Sequence, residues 1–271
     1  MSDPIRSTPL LVTEAEHDRA EIYHLAAGSC AIYSHRAPDK DSPNEDALAL
    51  IPRGKDAAVL VVADGLGGGR AGKEASRLAV ETLAQSVAEV AADGLREAIL
   101  GGIEASNRAI LDLALGAATT VVVVEIQANV MRSFHVGDSM ILACGQRGRI
   151  KFQSVAHSPV GYAVEAGLMD ESEAVHHEDR HLVSNVVGSP EMRIEMGPTI
   201  KLASYDTVVL ASDGLADNLY MEEIVDQVRK GPLQQSADNL AADARERMLR
   251  PSGQRPHKPD DLTFILFRRS A

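Results

Sequence analysis

The spacing of apolar residues changes twice along this chain, and those changes limit the folds open to it. Nearly continuous apolar runs at residues 47–51 and 57–63 predict buried β-strands. Small and apolar residues then recur every three to four positions over about 75–90 and 95–115, which predicts two helices. Four short segments separated by turn residues follow over about 119–155, and they predict an antiparallel meander.

The rest of the chain repeats both patterns. Because strands and helices come in blocks and do not alternate one by one, the order favours an α+β fold with antiparallel sheets. We expect a loose N-terminal extension over residues 1–20, with a strand at Leu10–Val12, and a single domain over residues 21–271. The later segments are strands at about 207–211 and 262–269 and amphipathic helices at about 221–230 and 236–249.

Composition excludes several classes of protein. Hydrophobic residues make up 45% of the 271 residues, which excludes wholesale disorder. A net charge of −12 disfavours nucleic acid as a partner. Two cysteines are too few for a disulfide scaffold. The longest apolar runs are strand-sized and the N-terminus lacks the features of a signal peptide, so we expect a cytoplasmic protein that binds no membrane.

Carboxylates stand at the ends of the predicted strands. Several such ends on one rim would bring like charges together, which is costly unless cations compensate them. All-oxygen ligand sets suit hard divalent ions such as Mg²⁺ or Mn²⁺. The alternative is ordinary Asp-Gly turn chemistry at each end. The residues concerned are Glu45, Asp46, Asp64, Asp138, Asp213, Asp260 and Asp261.

Five sequence fragments around these carboxylates occur in a characteristic order. Together they resemble the metal-dependent protein phosphatase family, phosphatase 2C type, over about residues 25–269. The resemblance implies a four-layer α-β-β-α sandwich, two antiparallel sheets flanked by helices, with a metal cleft at one end. The fragments are Asn44-Glu45-Asp46, Asp64-Gly65-Leu66-Gly67-Gly68, Val136-Gly137-Asp138-Ser139, Ser212-Asp213-Gly214-Leu215 with Asp217, and Asp260-Asp261-Leu262-Thr263.

The resemblance also implies an activity and its central residues. Phosphoserine and phosphothreonine in proteins would be hydrolysed by in-line attack of a hydroxide that bridges two Mn²⁺ or Mg²⁺ ions. Asp64 would bridge the two ions, and the Gly65 carbonyl would bind one of them. Asp213 and Asp260 would complete one metal shell, so Asp64, Asp213 and Asp260 are the expected catalytic residues. The partners would be phosphorylated signalling proteins, including a serine/threonine kinase or its targets.

Other acidic residues have supporting roles by the same resemblance. Glu45 would serve the second metal, with Asp46 in support. Asp138 and Asp217 match positions that hold a third, weaker metal in bacterial members. Residues 157–188 resemble the flap of the family and the segment after it.

The chain departs from the family pattern at three positions. Leu66 stands where many eukaryotic members have a histidine, which points to a bacterial-type enzyme. Asp41 occupies the position of the family's phosphate-binding arginine. A one-residue insertion would give that role to Lys40, with Arg36 as the second candidate. Asp261 replaces the usual asparagine.

Two other phosphate-binding patterns compete with this interpretation. Cys30 and Arg36 have the Cys-x5-Arg spacing of cysteine-dependent phosphatases, but the residues between them include no glycine. The segment Gly67–Lys73 resembles a Walker loop, but Glu74 stands where a Mg²⁺-binding Ser or Thr is needed.

Two further alternatives concern metals and catalysis. His176, His177 and His181 offer a metal site, although their polar surroundings favour an exposed segment. A non-catalytic, phosphatase-like binding module is the remaining alternative. The near-complete acidic set argues against it, because a protein without activity need not keep those residues.

Overall fold

Two antiparallel sheets lie at the centre of the computed structural model, which describes residues 5–88, 90–251 and 255–269. The first has the order β1-β4-β5-β8-β9-β12, with β13 also pairing with β9. Its strands are β1 Leu10–Thr13, β4 Ala47–Arg53, β5 Ala57–Ala63, β8 Val121–Gln127, β9 Val130–Val136, β12 Glu195–Met196 and β13 Ile200–Lys201.

The second sheet has the order β11-β10-β14-β15-β3-β2, and β6 and β7 form a separate short pair. Its strands are β2 Glu21–Leu25, β3 Gly28–His35, β10 Met140–Cys144, β11 Ile150–Gln153, β14 Thr207–Ala211 and β15 Leu262–Arg269. The short pair is β6 Gly65–Leu66 and β7 Ala118–Thr119.

Helices cover the outer face of each sheet. Helices α1 and α2 pack on the first sheet, and α6 and α7 pack on the second. Short 3₁₀ turns lie at Ala92–Gly94 and Glu178–His181. The helices are α1 Arg70–Ala88, α2 Leu95–Asp112, α3 Pro159–Glu165, α4 Glu171–Ala174, α5 Asp213–Ala216, α6 Met221–Val228 and α7 Leu233–Leu249.

Strand β4 shows why the central strands are apolar without interruption. Leu48 and Leu50 point into the core between the two sheets, whereas Ala49 and Ile51 point into the core beneath α1 and α2. Side chains alternate between the faces of a strand, so a strand covered on both faces needs apolar residues at every position. The predicted four-layer α-β-β-α sandwich is therefore what the chain forms.

Two predictions about the chain's path need correction. Residues from Leu10 onward are not a loose extension, because β1 pairs with β4 and Ala20 is buried. The predicted strand at Leu10–Val12 is confirmed, and residues 1–4 lie outside the described residues. The expected meander is divided between the sheets: β8 pairs with β9 and β10 with β11, but β9 and β10 lie in different sheets.

The segment expected to be the flap, residues 157–188, contains α3, α4 and the second 3₁₀ turn. Its role and limits stay a prediction, as does the single domain. Among the helices of the described residues, none combines the length and the apolar character needed to span a membrane.

Candidate active site

Strand register brings the predicted carboxylates to one end of the sandwich. Ala47 pairs with Ala63 in the β4–β5 ladder, so Asp46 and Asp64 lie side by side just beyond it. In the other sheet Met140 pairs with Ala211, so Asp138, before β10, and Asp213, after β14, lie at the same end.

Asp260 and Asp261 reach that end through the loop before β15. Ser212 N–H donates to the Thr263 carbonyl at 2.9 Å, which fixes the start of α5 beside this loop. A Cβ on Gly214 would lie 2.0 Å from the Asp261 carbonyl oxygen, so only glycine allows the approach. Asp260 and Asp213 consequently lie close together.

Asp64 is held by its backbone. Its carbonyl accepts hydrogen bonds from Thr119 Oγ1 at 2.7 Å and from Thr120 N–H at 2.8 Å. Burial raises the pKa of the Asp64 carboxyl, and the charges of neighbouring carboxylates, chiefly Asp46 and Asp213, raise it further. Asp64 therefore lies at the centre of the acidic cluster.

Burial and neighbouring negative charges also raise the pKa values of other carboxyls in the cluster. Burial and the charge of Asp213 raise the pKa of Asp138 to about 7 and that of Asp260 to about 6. Burial likewise raises the pKa of Asp213 and of Asp46. The cluster thus carries mutual repulsion that protons or cations must relieve.

Several carboxylate oxygens of the cluster are buried without a hydrogen-bond partner. They are Glu45 Oε1, Asp46 Oδ1 and Asp213 Oδ1. Unpaired, buried carboxylate oxygens are costly in a folded protein unless a cation coordinates them. Oxygen donors of this kind fit Mg²⁺ or Mn²⁺, so the residues present suit the expected metal ions.

Lys258 enters this cluster, and the sequence interpretation missed it. Its ammonium lies 2.5 Å from Asp213 Oδ2, 2.9 Å from Asp217 Oδ2 and 3.0 Å from Asp260 Oδ2. Burial alone lowers the pKa of Lys258, but these carboxylates raise it above the ordinary value, so the side chain stays charged. The signal was a lysine two residues before Asp260.

The two candidate phosphate anchors lie in different places. Lys40 Nζ is 2.7 Å from Glu45 Oε2 and 2.6 Å from Asp261 Oδ2, beside the acidic cluster. Asp261 also accepts the backbone N–H groups of Ala37 and Glu45, both at 2.7 Å, so it fixes the loop that carries Lys40. Arg36 instead pairs with Glu16 at 3.1 Å, and its side chain is 44% exposed.

The chain is similar in sequence to known phosphatases. The model of the family described as Protein phosphatase 2C matches residues 33–250. The chain belongs to the protein phosphatase 2C family. Protein phosphatase PhpP of Streptococcus pneumoniae is 30% identical over 212 residues, which cover 74% of this chain and 85% of PhpP.

Solved structures of phosphatases have the same fold. The serine/threonine phosphatase of S. agalactiae superposes with a TM-score of 0.76 at 26% identity, covering 89% of this chain and 99% of that one. The catalytic domain of the phosphatase PstP in complex with two manganese ions gives 0.69 at 24% identity, covering 89% and 98%. Members of the family depend on Mn²⁺ or Mg²⁺. The predicted fold, the bacterial-type family and the metal-dependent phosphatase class are confirmed.

Membership of the phosphatase 2C family fits the structure around the glycine loop. A Cβ on Gly65 would lie 2.3 Å from the Gly72 carbonyl oxygen, and a Cβ on Gly72 would lie 2.4 Å from Glu45 Oε1. These glycines therefore let α1 approach the acidic cluster. Lys73 pairs with Glu14 at 3.1 Å, so its ammonium is engaged by a carboxylate and does not support the Walker-loop alternative.

The cysteine alternative has no support in the structure. Cys30 lies in the middle of β3, paired with Tyr23 and Phe267, and is fully buried. Burial raises the pKa of its thiol, whereas a nucleophilic cysteine needs a lowered one. Cys30 is a core residue in this phosphatase 2C domain.

The alternative metal site at three flap histidines is not the histidine group that the structure brings together. Within the described ranges, the group whose ligand atoms come within 4.8 Å of one another is His135, His157 and Glu195, not His176, His177 and His181.

Hydrogen bonds of His157 explain its role in this group. His157 Nδ1 accepts from Gly137 N–H at 3.1 Å and from the Asn185 amide at 2.9 Å, so its proton is on Nε2, which faces Glu195 Oε2 at 3.1 Å. A protonated Nε2 is no metal ligand, and the histidine instead supports the turn that carries Asp138.

Proposed function

We propose that this phosphatase 2C protein removes phosphate from phosphoserine and phosphothreonine in cytoplasmic proteins, including a serine/threonine kinase or its targets. The observation that carries the proposal is the acidic cluster at one end of the sandwich, with its buried, unpaired carboxylate oxygens. The relatives' names point to the same activity.

The cluster offers ligands for two divalent cations, Mn²⁺ or Mg²⁺. Asp64 would hold both, the Gly65 carbonyl would contribute to one shell, and Asp213 and Asp260 would complete one of them. Such ions would supply positive charge to the phosphoryl oxygens and make water a stronger nucleophile at neutral pH.

Further acidic residues would complete the metal centre. Glu45 would serve the second ion, with Asp46 held in place by the 2.8 Å hydrogen bond that it accepts from Ser212 Oγ. Asp138 and Asp217 would form a third, weaker site.

The chain's own cations would position the substrate. Lys40 would hold the phosphoryl group in line, because its ammonium lies beside Glu45 at the acidic cluster. Arg36 is the weaker candidate because it points to the surface, where it pairs with Glu16. Fixing the phosphoryl group converts a bimolecular encounter into an oriented one, which is a large part of catalysis by such sites.

Activity on a phosphothreonine peptide, measured with Mn²⁺ and with excess chelator, tests the proposal. We expect turnover with Mn²⁺, none in chelator, and none for Asp64→Asn. Cys30→Ser, a matched change in the core, should leave turnover intact. Full activity in chelator, or loss of activity in a folded Cys30→Ser protein, would overturn the two-metal mechanism.

A further inference from the structure

A cavity of about 770 Å³ opens beside the acidic cluster. It lies between the flap segment, which contributes α3 and α4, and the α5–α6 segment. Three members of the acidic cluster also line this cavity, namely Asp138, Asp213 and Asp217. The cavity is therefore continuous with the space at the acidic cluster. A molecule whose phosphate lies at the cluster therefore has its neighbouring atoms next to this cavity, which we call the side pocket.

The walls of the side pocket are largely apolar. Val160, Val164 and Val175 line it on the flap side, and Ala216, Leu219 and Met221 line it on the other. Among the described residues, the three valines are part of none of the three buried cores. Val164 and Val175 are only partly buried, so a ligand would gain contacts with side chains that the fold leaves incompletely covered.

The rim of the side pocket is acidic. Glu165, Glu171 and Glu222 line it and are exposed. Arg180 is the one cation among its described lining residues, and it already donates to the carbonyls of Val175 and His257. An apolar pocket with an acidic rim complements an aliphatic side chain that has a lysine or arginine beside it.

We propose that the side pocket binds the substrate residues next to the phosphorylated serine or threonine and selects an aliphatic residue accompanied by a basic one. This inference rests on the proposed phosphatase function. The substrate is the favoured occupant because an extended peptide advances about 3.3 Å per residue, so residues a few positions from the phosphate reach the cavity. Transfer of one aliphatic side chain into such a pocket corresponds to about 10- to 100-fold in kcat/KM.

Steady-state kinetics on matched phosphothreonine peptides test this. In one series leucine replaces alanine at each position from about three before to three after the phosphothreonine, within reach of an extended chain. In a second series lysine replaces glutamate beside the preferred position. We expect a preference for leucine of about 10-fold or more at one position, and a preference for lysine next to it.

Two pairs of variants locate the preference on the protein. Val164→Asp should reduce the leucine-to-alanine ratio of kcat/KM to near one. Leu168→Asp, at a flap residue that is 83% exposed and outside the pocket lining, should keep the ratio. Glu171→Lys should reverse the lysine preference, whereas Glu178→Lys, exposed on the same segment, should not.

The outcomes separate this inference from the proposed function. If no peptide is hydrolysed under any metal condition, the proposed function itself fails. If peptides are hydrolysed but leucine and lysine confer no preference, the side pocket serves some other ligand and the inference fails while the phosphatase remains. Equal ratios for the pocket variants and their controls would also overturn it, because the selectivity would then lie elsewhere. A Val164→Asp protein that does not fold leaves Glu171→Lys, an exposed change, to decide.

Discussion

The Lys258→Met substitution removes an ammonium that contacts three carboxylates of the candidate metal site. The distances from Nζ to the nearest oxygens of Asp213, Asp217 and Asp260 are 2.5, 2.9 and 3.0 Å. The lysine side chain is 23% exposed and that of Asp260 35%, so water screens the cluster only in part. Methionine keeps the length of the side chain and removes the charge.

The expected cost follows from leaving these carboxylates uncompensated. Removing one partner of a buried ion pair lowers the free energy of unfolding by about 3–5 kcal/mol. Because the cluster is partly exposed, we expect a loss of about 3 kcal/mol here. In a chain of this size 1 kcal/mol corresponds to about 2–4 °C, so in excess chelator the Tm should fall by roughly 6–12 °C.

With Mn²⁺ present, removal of the ammonium should favour metal binding. Lys258 would compete with a divalent cation for Asp213 and Asp260, so the variant should bind Mn²⁺ more tightly and gain more thermal stability from it. Thermal unfolding followed by circular dichroism, with chelator and with Mn²⁺, and calorimetric Mn²⁺ titration measure both effects. Lys230→Met, at an exposed lysine, is the matched control.

Two results would refute this reasoning. The Tm of Lys258→Met in chelator could equal that of the Lys230→Met control, which would mean that the ammonium does not stabilise the metal-free cluster. Weaker Mn²⁺ binding by Lys258→Met would mean that the lysine supports the metal site and does not compete with it.

Three further predictions follow from the site. Asp213→Asn should abolish turnover and raise the Tm in chelator, because one repelling charge is lost; wild-type turnover would show that the cluster is wrongly assigned. Lys40→Ala should raise KM on a phosphopeptide strongly and Arg36→Ala less, and the opposite order would make Arg36 the anchor. Because burial and Asp213 raise the folded-state pKa of Asp138 to about 7 and of Asp260 to about 6, the metal-free fold binds more protons than the unfolded chain. Its Tm should therefore fall as the pH rises from about 4 to about 7, and a rising Tm in chelator would contradict this.

Local residue patterns are enough to predict most helices and strands and the acidic residues at the strand ends. Strand β4 is recognisable because both of its faces are covered, so Leu48 through Ile51 are all apolar. Asp64 is recognisable because it directly follows an apolar run, and Asp213 because a single serine separates it from one. These signals are local, since burial on both faces and a turn at a strand end leave their mark on adjacent residues.

Which segments meet depends on tertiary packing and is visible in the folded structure alone. The spacing of β9 and β10 gives no sign that the turn at Gly137 crosses from one sheet to the other. Nor does the lysine at 258 show, in a stretch of polar residues, that its ammonium reaches Asp213 and Asp217, which lie more than forty residues earlier. Such contacts depend on how two sheets pack and where a loop returns, and because those interactions join residues distant in the chain, no local pattern of residue types records them.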